Sequence, residues 1–298
     1  YILVIFEEKI HLRKSKPVVL IGCFMWFIIG IHEVGNGNSE HAHEHLKHLT
    51  SEIGELFFFL LVAMTYINTL EERNVFRSLR SWLLRKGLGF RSLYWATGLI
   101  TFFLSPLADN LTSALLMSTV ALAVGNGIRK FIIPAFINIV VAANAGGAWS
   151  PFGDITTLMV WTAGKVPTIK FAYLMIPSVL NWLIPAIIMY PFVPNQKPQG
   201  STEAIPMKPG AKFIIALGIL TIAIAVSFHQ FLHLPPFMGM MFGLGFLMFK
   251  GYYLRHWTEG PNKDERFDLF KSVEKVEFDT LLFFFGILTA VGALQYIG

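Results

Sequence analysis

Apolar segments separated by short charged loops constrain this sequence more than any other feature. Hydrophobic residues make up 54% of the 298 residues and charged residues only 14%, whereas soluble domains carry about 25% charged residues. A helix that crosses about 30 Å of hydrocarbon needs about 20 residues. We therefore predict an all-α polytopic membrane protein. Its helices are expected at residues 18–31, 53–70, 92–105, 111–128, 131–144, 155–164, 171–193, 213–231, 235–249 and 280–297, with a helix end at 1–6.

Polar residues interrupt two neighbouring apolar segments. The first interruption, at 105–112, contains Asp109 and Asn110, and the second, at 144–157, contains two adjacent glycines, a proline and Asp154. An aspartate at the centre of a membrane helix costs about 2.5–3.5 kcal/mol, so such groups are retained where they bind something. Two interruptions close together in the sequence therefore predict an intramembrane ion or substrate site.

Basic residues are concentrated in five loops, and the positive-inside rule places these loops in the cytoplasm. The clusters lie at residues 9–16, 73–91, 129–130, 197–212 and 250–275. The stretch 92–128 lies between two of them and contains two apolar segments that are each too short to span alone. We predict a re-entrant hairpin that enters from the cytoplasm and turns near the midplane, where Pro106 ends one helix and Asp109 caps the next. Two short spanning helices with an external loop are the alternative.

The stretch 131–164 is expected to cross the membrane once, because Lys130 precedes it inside and Lys165 follows it outside. Its two apolar segments are too short to span separately. The middle, residues 144–154, is rich in glycine and predicts a discontinuous helix whose unwound centre exposes backbone carbonyls. Irregular backbone is tolerated at that depth only where it is buried or lines a cavity.

An internal repeat is indicated by two similar segments. The segment 55–61 resembles the segment 280–287, and each contains three consecutive phenylalanines. The loop charges direct helix 53–70 inward and helix 280–297 outward, so the two copies have opposite topology. Inverted repeats of this kind are the architecture of many secondary transporters. We therefore predict an inverted-repeat secondary transporter whose second repeat is truncated, with a further hairpin and broken helix expected after Gly298.

Three motifs resemble the NhaD-type sodium/proton antiporters of the ion-transporter superfamily. They are Thr65-Tyr-Ile-Asn-Thr-Leu-Glu-Glu-Arg73, Ser105-Pro-Leu-Ala-Asp-Asn-Leu-Thr-Ser113 and Asn144-Ala-Gly-Gly-Ala-Trp-Ser-Pro-Phe-Gly-Asp-Ile-Thr-Thr157. The resemblance extends from about residue 50 to residue 195. It implies hairpin tips and broken helices that hold a cation near the midplane, a homodimer formed through a scaffold domain, and a transport domain that moves.

On this interpretation the chain divides into four regions. Residues 1–50 would form scaffold helices and an external histidine-rich loop, and residues 51–170 the transport region of the first repeat. Residues 171–250 would add further scaffold helices, and residues 251–298 a cytoplasmic loop and the start of the second-repeat transport region. The hairpin and the broken helix both fall in the second of these regions.

The candidate site residues carry the oxygen atoms that a hard cation prefers. They are Ser105, Asp109, Asn110, Thr112, Asn144, Ser150, Asp154, Thr156 and Thr157. Asp109 is the first choice for a carboxylate that binds both a cation and a proton, and Na⁺ is expected at Asp109, Asn110 and Asp154. Structural roles are the alternative, because the two aspartates could cap helices and threonines often bond back to helical carbonyls.

A histidine cluster lies in the predicted external loop 32–50. Its members are His41, His43, His45 and His48. One interpretation is a metal site or a pH sensor, and the other is a solvated polar loop. The zinc-protease motif His-Glu-x-x-His does not occur in the sequence.

Carboxylates near the midplane can bind either a cation or a proton, so competition for one site couples two flows without ATP. We expect a secondary-active antiporter that exchanges Na⁺ (or Li⁺) for H⁺ in a bacterial inner membrane, as a homodimer without a cofactor. An enzyme or a nucleic-acid-binding protein is not expected. A permease for an anion such as arsenite or a dicarboxylate is the alternative, although its hairpin tips would be neutral where Asp109 stands. A non-transporting sensor that uses the histidine loop also stays open.

Overall fold

The structure, a computed structural model, describes residues 11–198, 204–258 and 267–298. All regular secondary structure in these ranges is helical. The α-helices are α1 (Ser15–Asn36), α2 (Ser39–Glu72), α3 (Val75–Arg85), α4 (Phe90–Ala108), α5 (Asn110–Gly125), α6 (Arg129–Ala148), α7 (Ile155–Thr162), α8 (Thr168–Phe171), α9 (Met175–Met189), α10 (Ala211–Phe231), α11 (Pro236–Tyr253), α12 (Leu269–Glu274) and α13 (Phe278–Ile297). The predicted helix end at 1–6 lies outside the described residues.

Seven helical segments of the described chain are long and apolar enough to cross a membrane. They are Ser15–Asn36, Ser39–Glu72, Arg129–Ala148, Thr168–Phe192, Ala211–Phe231, Pro236–His256 and Phe278–Ile297. The fourth of these combines α8 and α9, which are joined by a short 3-10 turn. The protein is therefore a polytopic membrane protein, as its composition predicts. The re-entrant path of the hairpin and the inverted repeat stay predictions.

The length predicted for the segment 131–144 is wrong. Helix α6 runs over 20 residues, because residues 144–148, which were expected to be unwound, continue the helix. Glycine in a helix costs about 1 kcal/mol relative to alanine, and the two glycines of this stretch are buried where close packing offsets that cost. The non-helical break is therefore confined to residues 149–154, and the 8-residue helix α7 follows it.

Helices α4, α5, α6 and α9 pack around one hydrophobic core, which we call the hairpin body. Asp109 alone separates α4 from α5, so these two helices form a tight helical hairpin. Buried hydrogen bonds tie three of the four helices together. Asn138 Nδ2 donates to Tyr94 O at 2.7 Å and Trp182 Nε1 donates to Asn138 Oδ1 at 2.8 Å. The hairpin is thus held rigidly against α6 and α9.

Helices α2, α7, α10, α11 and α13 contribute to a second core, which we call the α2 body. The Tyr66 hydroxyl of α2 donates to Gly243 O at 2.8 Å and lies 2.9 Å from Thr221 Oγ1, so it joins α2 to both α10 and α11. Helix α1 packs along α13, where Trp26 Nε1 donates to Thr289 O at 2.9 Å. The hairpin body and the α2 body face each other, and the two polar segments, 105–112 and 144–157, lie between them.

The prediction that residues 32–50 form a loop is wrong, whereas their external location stays a prediction. A two-residue turn separates α1 from α2, and the four histidines lie on the first turns of α2. His41 and His45 are one turn apart, and their rings lie 5.7 Å and 5.4 Å from the ring of Tyr296. The apolar pattern marks only the hydrophobic part of α2, and good helix formers such as Glu44 extend the helix beyond it.

Candidate functional site

A cavity of about 130 Å³ lies between the hairpin body and the α2 body. The hairpin tip, the 149–154 break with the start of α7, and the middle of α2 contribute most of its wall. Its polar lining residues are Asn68, Asp109, Asn110, Thr112, Asp154, Lys275, Glu277 and Thr280. Four of the predicted candidates, Asp109, Asn110, Thr112 and Asp154, therefore line one cavity, although the two aspartates are 45 positions apart in the chain.

Asp109 forms the hairpin tip and is the N-cap of α5. Its Oδ1 accepts the Thr112 backbone N–H at 2.8 Å, and its Oδ2 accepts the Thr112 hydroxyl at 2.8 Å. The backbone of Asp109 has φ 58° and ψ 163°. A non-glycine residue in this region is strained by about 1–3 kcal/mol, and strain of this kind clusters at ligand sites. The one-residue turn thus holds a carboxylate beside the cavity.

Asn110 links the hairpin tip to the second interruption. Its side-chain Nδ2 donates to Asp154 Oδ2 at 2.8 Å and to Asn144 Oδ1 at 3.1 Å. Its Oδ1 accepts the Leu111 backbone N–H at 2.9 Å. Both polar interruptions therefore meet through one amide group, whose oxygen keeps a second lone pair.

Asp154 ends the break and is the N-cap of α7. Its Oδ1 accepts the Thr156 backbone N–H at 2.8 Å and the Thr156 hydroxyl at 2.6 Å. A carboxylate at a helix N-terminus is stabilised by the free N–H groups and by the helix dipole. The capping role considered for both aspartates is thus present in the structure, and both caps border the same cavity.

The remaining candidates lie beside the cavity, where they hold the break and the hairpin together. Ser105 is fully buried, and its hydroxyl donates to Ala143 O at 2.6 Å. Ser150 Oγ accepts the Phe152 N–H at 3.1 Å, and the Thr157 hydroxyl donates to Ser150 O at 2.9 Å. The hydroxyl groups of Ser105 and Thr157 therefore donate to backbone carbonyls. Thr157 also donates back to Asp154 O at 2.7 Å, as the structural alternative for the threonines proposes.

Helices α4 and α6 are in close backbone contact next to the candidate site. Pro106 lies inside α4 and has no N–H, so the carbonyl of Phe102 lacks its usual helical donor. Gly146 of α6 packs directly against this carbonyl, and a Cβ atom at Gly146 would collide with it. Gly147 makes a similarly close contact with the backbone of Gly153. Glycine is required here because α4, α6 and the break approach one another at backbone distance.

Sequence reasoning missed the contribution of the junction between α12 and α13. Lys275, Glu277 and Thr280 line the 130 Å³ cavity. Glu277 also lines two wider cavities of about 460 Å³ and 430 Å³. The first is also lined by Arg13 and Lys14, and the second by Arg77 and Arg80. The charge pattern indicated only a cytoplasmic loop at 250–275, and a single glutamate two residues beyond it gave no further signal.

The cavity provides the ligand chemistry of a hard cation. Two carboxylates line it, and each accepts its own hydrogen bonds: Asp109 from the Thr112 hydroxyl, and Asp154 from the Asn110 amide nitrogen. Oxygen is the ligand atom that hard cations select. Within the described residues, no three or more histidine, cysteine, aspartate or glutamate side chains are grouped to hold a metal ion.

Comparison with known proteins places the chain among membrane transporters. A family model described as a citrate transporter matches residues 1–298. Over its whole length the chain is 47% identical to the Na⁺/H⁺ antiporter NhaD of Vibrio cholerae and 46% identical to the protein of that name from Alkalimonas amylolytica. Sodium/proton antiporter 1 of Arabidopsis thaliana is 30% identical over 99% of the chain. The chain spans 67%, 66% and 50% of the lengths of these three relatives, respectively.

Proposed function

The chain belongs to the citrate-transporter family and to the family of its NhaD relatives, and from this premise we propose that it exchanges Na⁺ (or Li⁺) for H⁺ across a membrane. The observation that carries the proposal is the meeting of two carboxylates, Asp109 and Asp154, at one cavity between the two bodies. We further propose a homodimer in a bacterial inner membrane, with the division into scaffold and transport regions given by the sequence.

The proposed mechanism is competition between a cation and a proton at Asp109. In the cation-bound form, the ionised carboxylate would share the ion with Asn110 Oδ1 and the Thr112 hydroxyl oxygen. The hydroxyl group can rotate, so it can donate to the carboxylate when the ion is absent and present a lone pair when the ion is bound. Protonation of the carboxylate removes its negative charge and releases the cation. Transport in opposite directions follows if each form crosses separately.

In this mechanism, Asn110 connects the hairpin tip to the break at residues 149–154. Its amide donates to Asp154 when no cation is bound. A cation that takes Asp154 Oδ2 as a ligand would compete with this hydrogen bond and loosen the contact between the hairpin tip and the break. Ion occupancy would thus change the contact between two separate elements of the fold.

Transport of an anion is the alternative, and the description of the family model as a citrate transporter favours it. The N-termini of α5 and α7 both lie at the cavity, and free helix N-termini bind anions. Here, however, each N-terminus is already capped by an aspartate of the chain itself. These carboxylates would repel a citrate or another anion, so the geometry supports a cation.

The proposal is tested with the full-length protein in inverted membrane vesicles that are acidified inside and contain a pH-sensitive dye. Added Na⁺ or Li⁺ should dequench the dye, because protons leave as the cation enters. Citrate and arsenite, added as choline-balanced salts without Na⁺, should have no effect. Dequenching by citrate alone, with none by Na⁺ or Li⁺, would support the anion permease instead.

A further inference from the structure

Helix α3 has two contrasting faces. It contains three arginines and no acidic residue in its 11 positions. Phe76, Leu79 and Leu83 recur at the i, i+3, i+7 spacing of an amphipathic helix. Leu83 is only 1% exposed and packs, with Leu79, into the core of the hairpin body. The apolar face is therefore already covered by protein.

The other face is basic and open. Arg77, Arg85 and the following Lys86 are exposed, and none of the three forms an ion pair within the described ranges. Arg77 also lines the rim of the 430 Å³ cavity, whereas Arg85 and Lys86 lie away from it. Trp82 is 47% exposed, and Lys86 Nζ lies 5.3 Å from the centre of its ring. An exposed tryptophan beside unpaired cations is typical of the membrane–water boundary, where its ring is partly apolar and its N–H is solvated.

The connections of α3 hold it close to the headgroup layer. An 11-residue helix is about 16 Å long, so it cannot cross the hydrocarbon. Two residues connect it to α2, which is long and apolar enough to span, and four residues connect it to α4. The charge pattern places this region on the cytoplasmic side. The basic face of α3 is therefore tethered beside the cytoplasmic leaflet, whose anionic lipids attract such residues.

We propose that α3 is an interfacial helix that binds anionic phospholipid headgroups of the cytoplasmic leaflet through Arg77, Arg85 and Lys86, with Trp82 as its interfacial anchor. Arginine binds a phosphate group through two parallel hydrogen bonds, and lysine contributes a point charge. Because the opposite face of α3 packs into the hairpin body, a bound lipid stabilises that body in the folded protein. This binding does not depend on which ion the protein transports.

The test measures the thermal stability of the purified full-length protein in a non-ionic detergent while lipid is added. Phosphatidylglycerol should raise the melting temperature, and phosphatidylcholine should raise it much less. In the variant with Arg77→Gln, Arg85→Gln and Lys86→Gln, the phosphatidylglycerol concentration that gives half of the shift should rise about tenfold or more. Inorganic phosphate at the same concentration should have no effect, because it lacks the tether to a bilayer or micelle.

Two control variants separate headgroup binding from other effects. Arg129→Gln with Lys130→Gln removes two exposed cations from another predicted cytoplasmic turn and should leave the lipid response unchanged. Arg77→Lys with Arg85→Lys keeps the charge and should retain most of it. If the triple variant does not fold, the single variant Arg85→Gln is titrated in its place, with a smaller but measurable shift expected. An equal response to phosphatidylcholine or to inorganic phosphate, or an equal loss in the Arg129/Lys130 control, would overturn the proposal.

Discussion

The carboxylates that begin α5 and α7 perform the same capping task in different surroundings. Both oxygens of Asp109 are engaged by Thr112, three residues further along the same helix. Asp154 uses one oxygen for Thr156 and gives the other to Asn110 of the hairpin. Asp109 is also held in strained backbone with φ 58°, whereas Asp154 has extended backbone.

This difference in contacts indicates different roles for Asp109 and Asp154, although both residues are N-caps in similar sequence motifs. The contacts of Asp109 are local, so a change in its charge can alter ion binding while the hairpin keeps its place. The contacts of Asp154 join two elements, so a change there alters both ion binding and the link between the break and the hairpin tip. We therefore expect Asp109 to control coupling and Asp154 to control affinity.

The largest expected effect is that of Asp109→Asn, which should abolish Na⁺-driven proton movement. Asparagine is as good an N-cap as aspartate, so the melting temperature should change little, but the amide cannot bind a proton in exchange for a cation. Exchange is measured by dye dequenching in inverted vesicles at several pH values. Asp268→Asn is the matched control, because Asp268 caps α12 outside the cavity. Wild-type exchange in Asp109→Asn would reduce Asp109 to a structural cap.

Asp154→Asn should raise the Na⁺ concentration for half-maximal exchange by about 100-fold. Two unit charges about 4 Å apart attract each other by about 1 kcal/mol in water and about 4 kcal/mol near a protein surface, and each 1.4 kcal/mol is a factor of ten. Unlike Asp109→Asn, this variant should still exchange when Na⁺ is high. If Asp154→Asn and Asp109→Asn behave identically, the two aspartates do not have separate roles in coupling and in affinity.

Asn110→Ala should weaken apparent Na⁺ affinity by about tenfold, because it removes Asn110 Oδ1, a proposed ligand of the ion, and an interaction with a charged group contributes about 1.5–3 kcal/mol. Asn144→Ala removes the neutral bond that Asn144 accepts from the same amide at 3.1 Å and its bond to Val140 O within α6, and it should cost about fivefold or less. The pair is compared in one Na⁺ titration. A larger effect of Asn144→Ala would show that Asn110 is not a ligand of the ion.

The smallest expected effect is that of Glu277→Gln, at about two- to fivefold in apparent Na⁺ affinity. Glu277 borders the candidate site and both wider cavities, so its charge should attract cations toward Asp109. Attraction of this kind is screened by salt. The effect should therefore shrink in high choline chloride. An effect that does not change with ionic strength would indicate direct coordination instead.

Several elements of the fold could be predicted from the sequence, because they depend on residues that are close together in the chain. Apolar length located the long helices, and the Asp-Asn-x-Thr pattern located a cap at Asp109. The end of α4 was harder, since Pro106 was expected to stop the helix and the helix continues to Ala108. A proline removes one hydrogen bond, and here Gly146 of α6 packs against the Phe102 carbonyl that has lost its donor.

The walls of the cavity could not be predicted, because they depend on contacts between distant parts of the chain. Nothing local to Glu277 indicates that it shares a cavity with Asp109. The length of α6 was also missed, because adjacent glycines indicate an unwound backbone or a close helix contact equally well. Only the position of Phe102 across the interface distinguishes the two.

The central claim is that sodium ions and protons compete at Asp109. The most direct test adds Na⁺ to the purified full-length protein in a weakly buffered solution and counts the protons released. The account predicts that the wild type releases protons as it binds Na⁺, that release declines when the carboxylate is already ionised at high pH, and that Asp109→Asn releases none. Undiminished proton release from Asp109→Asn, or Na⁺ binding by the wild type without proton release at any pH, would contradict it.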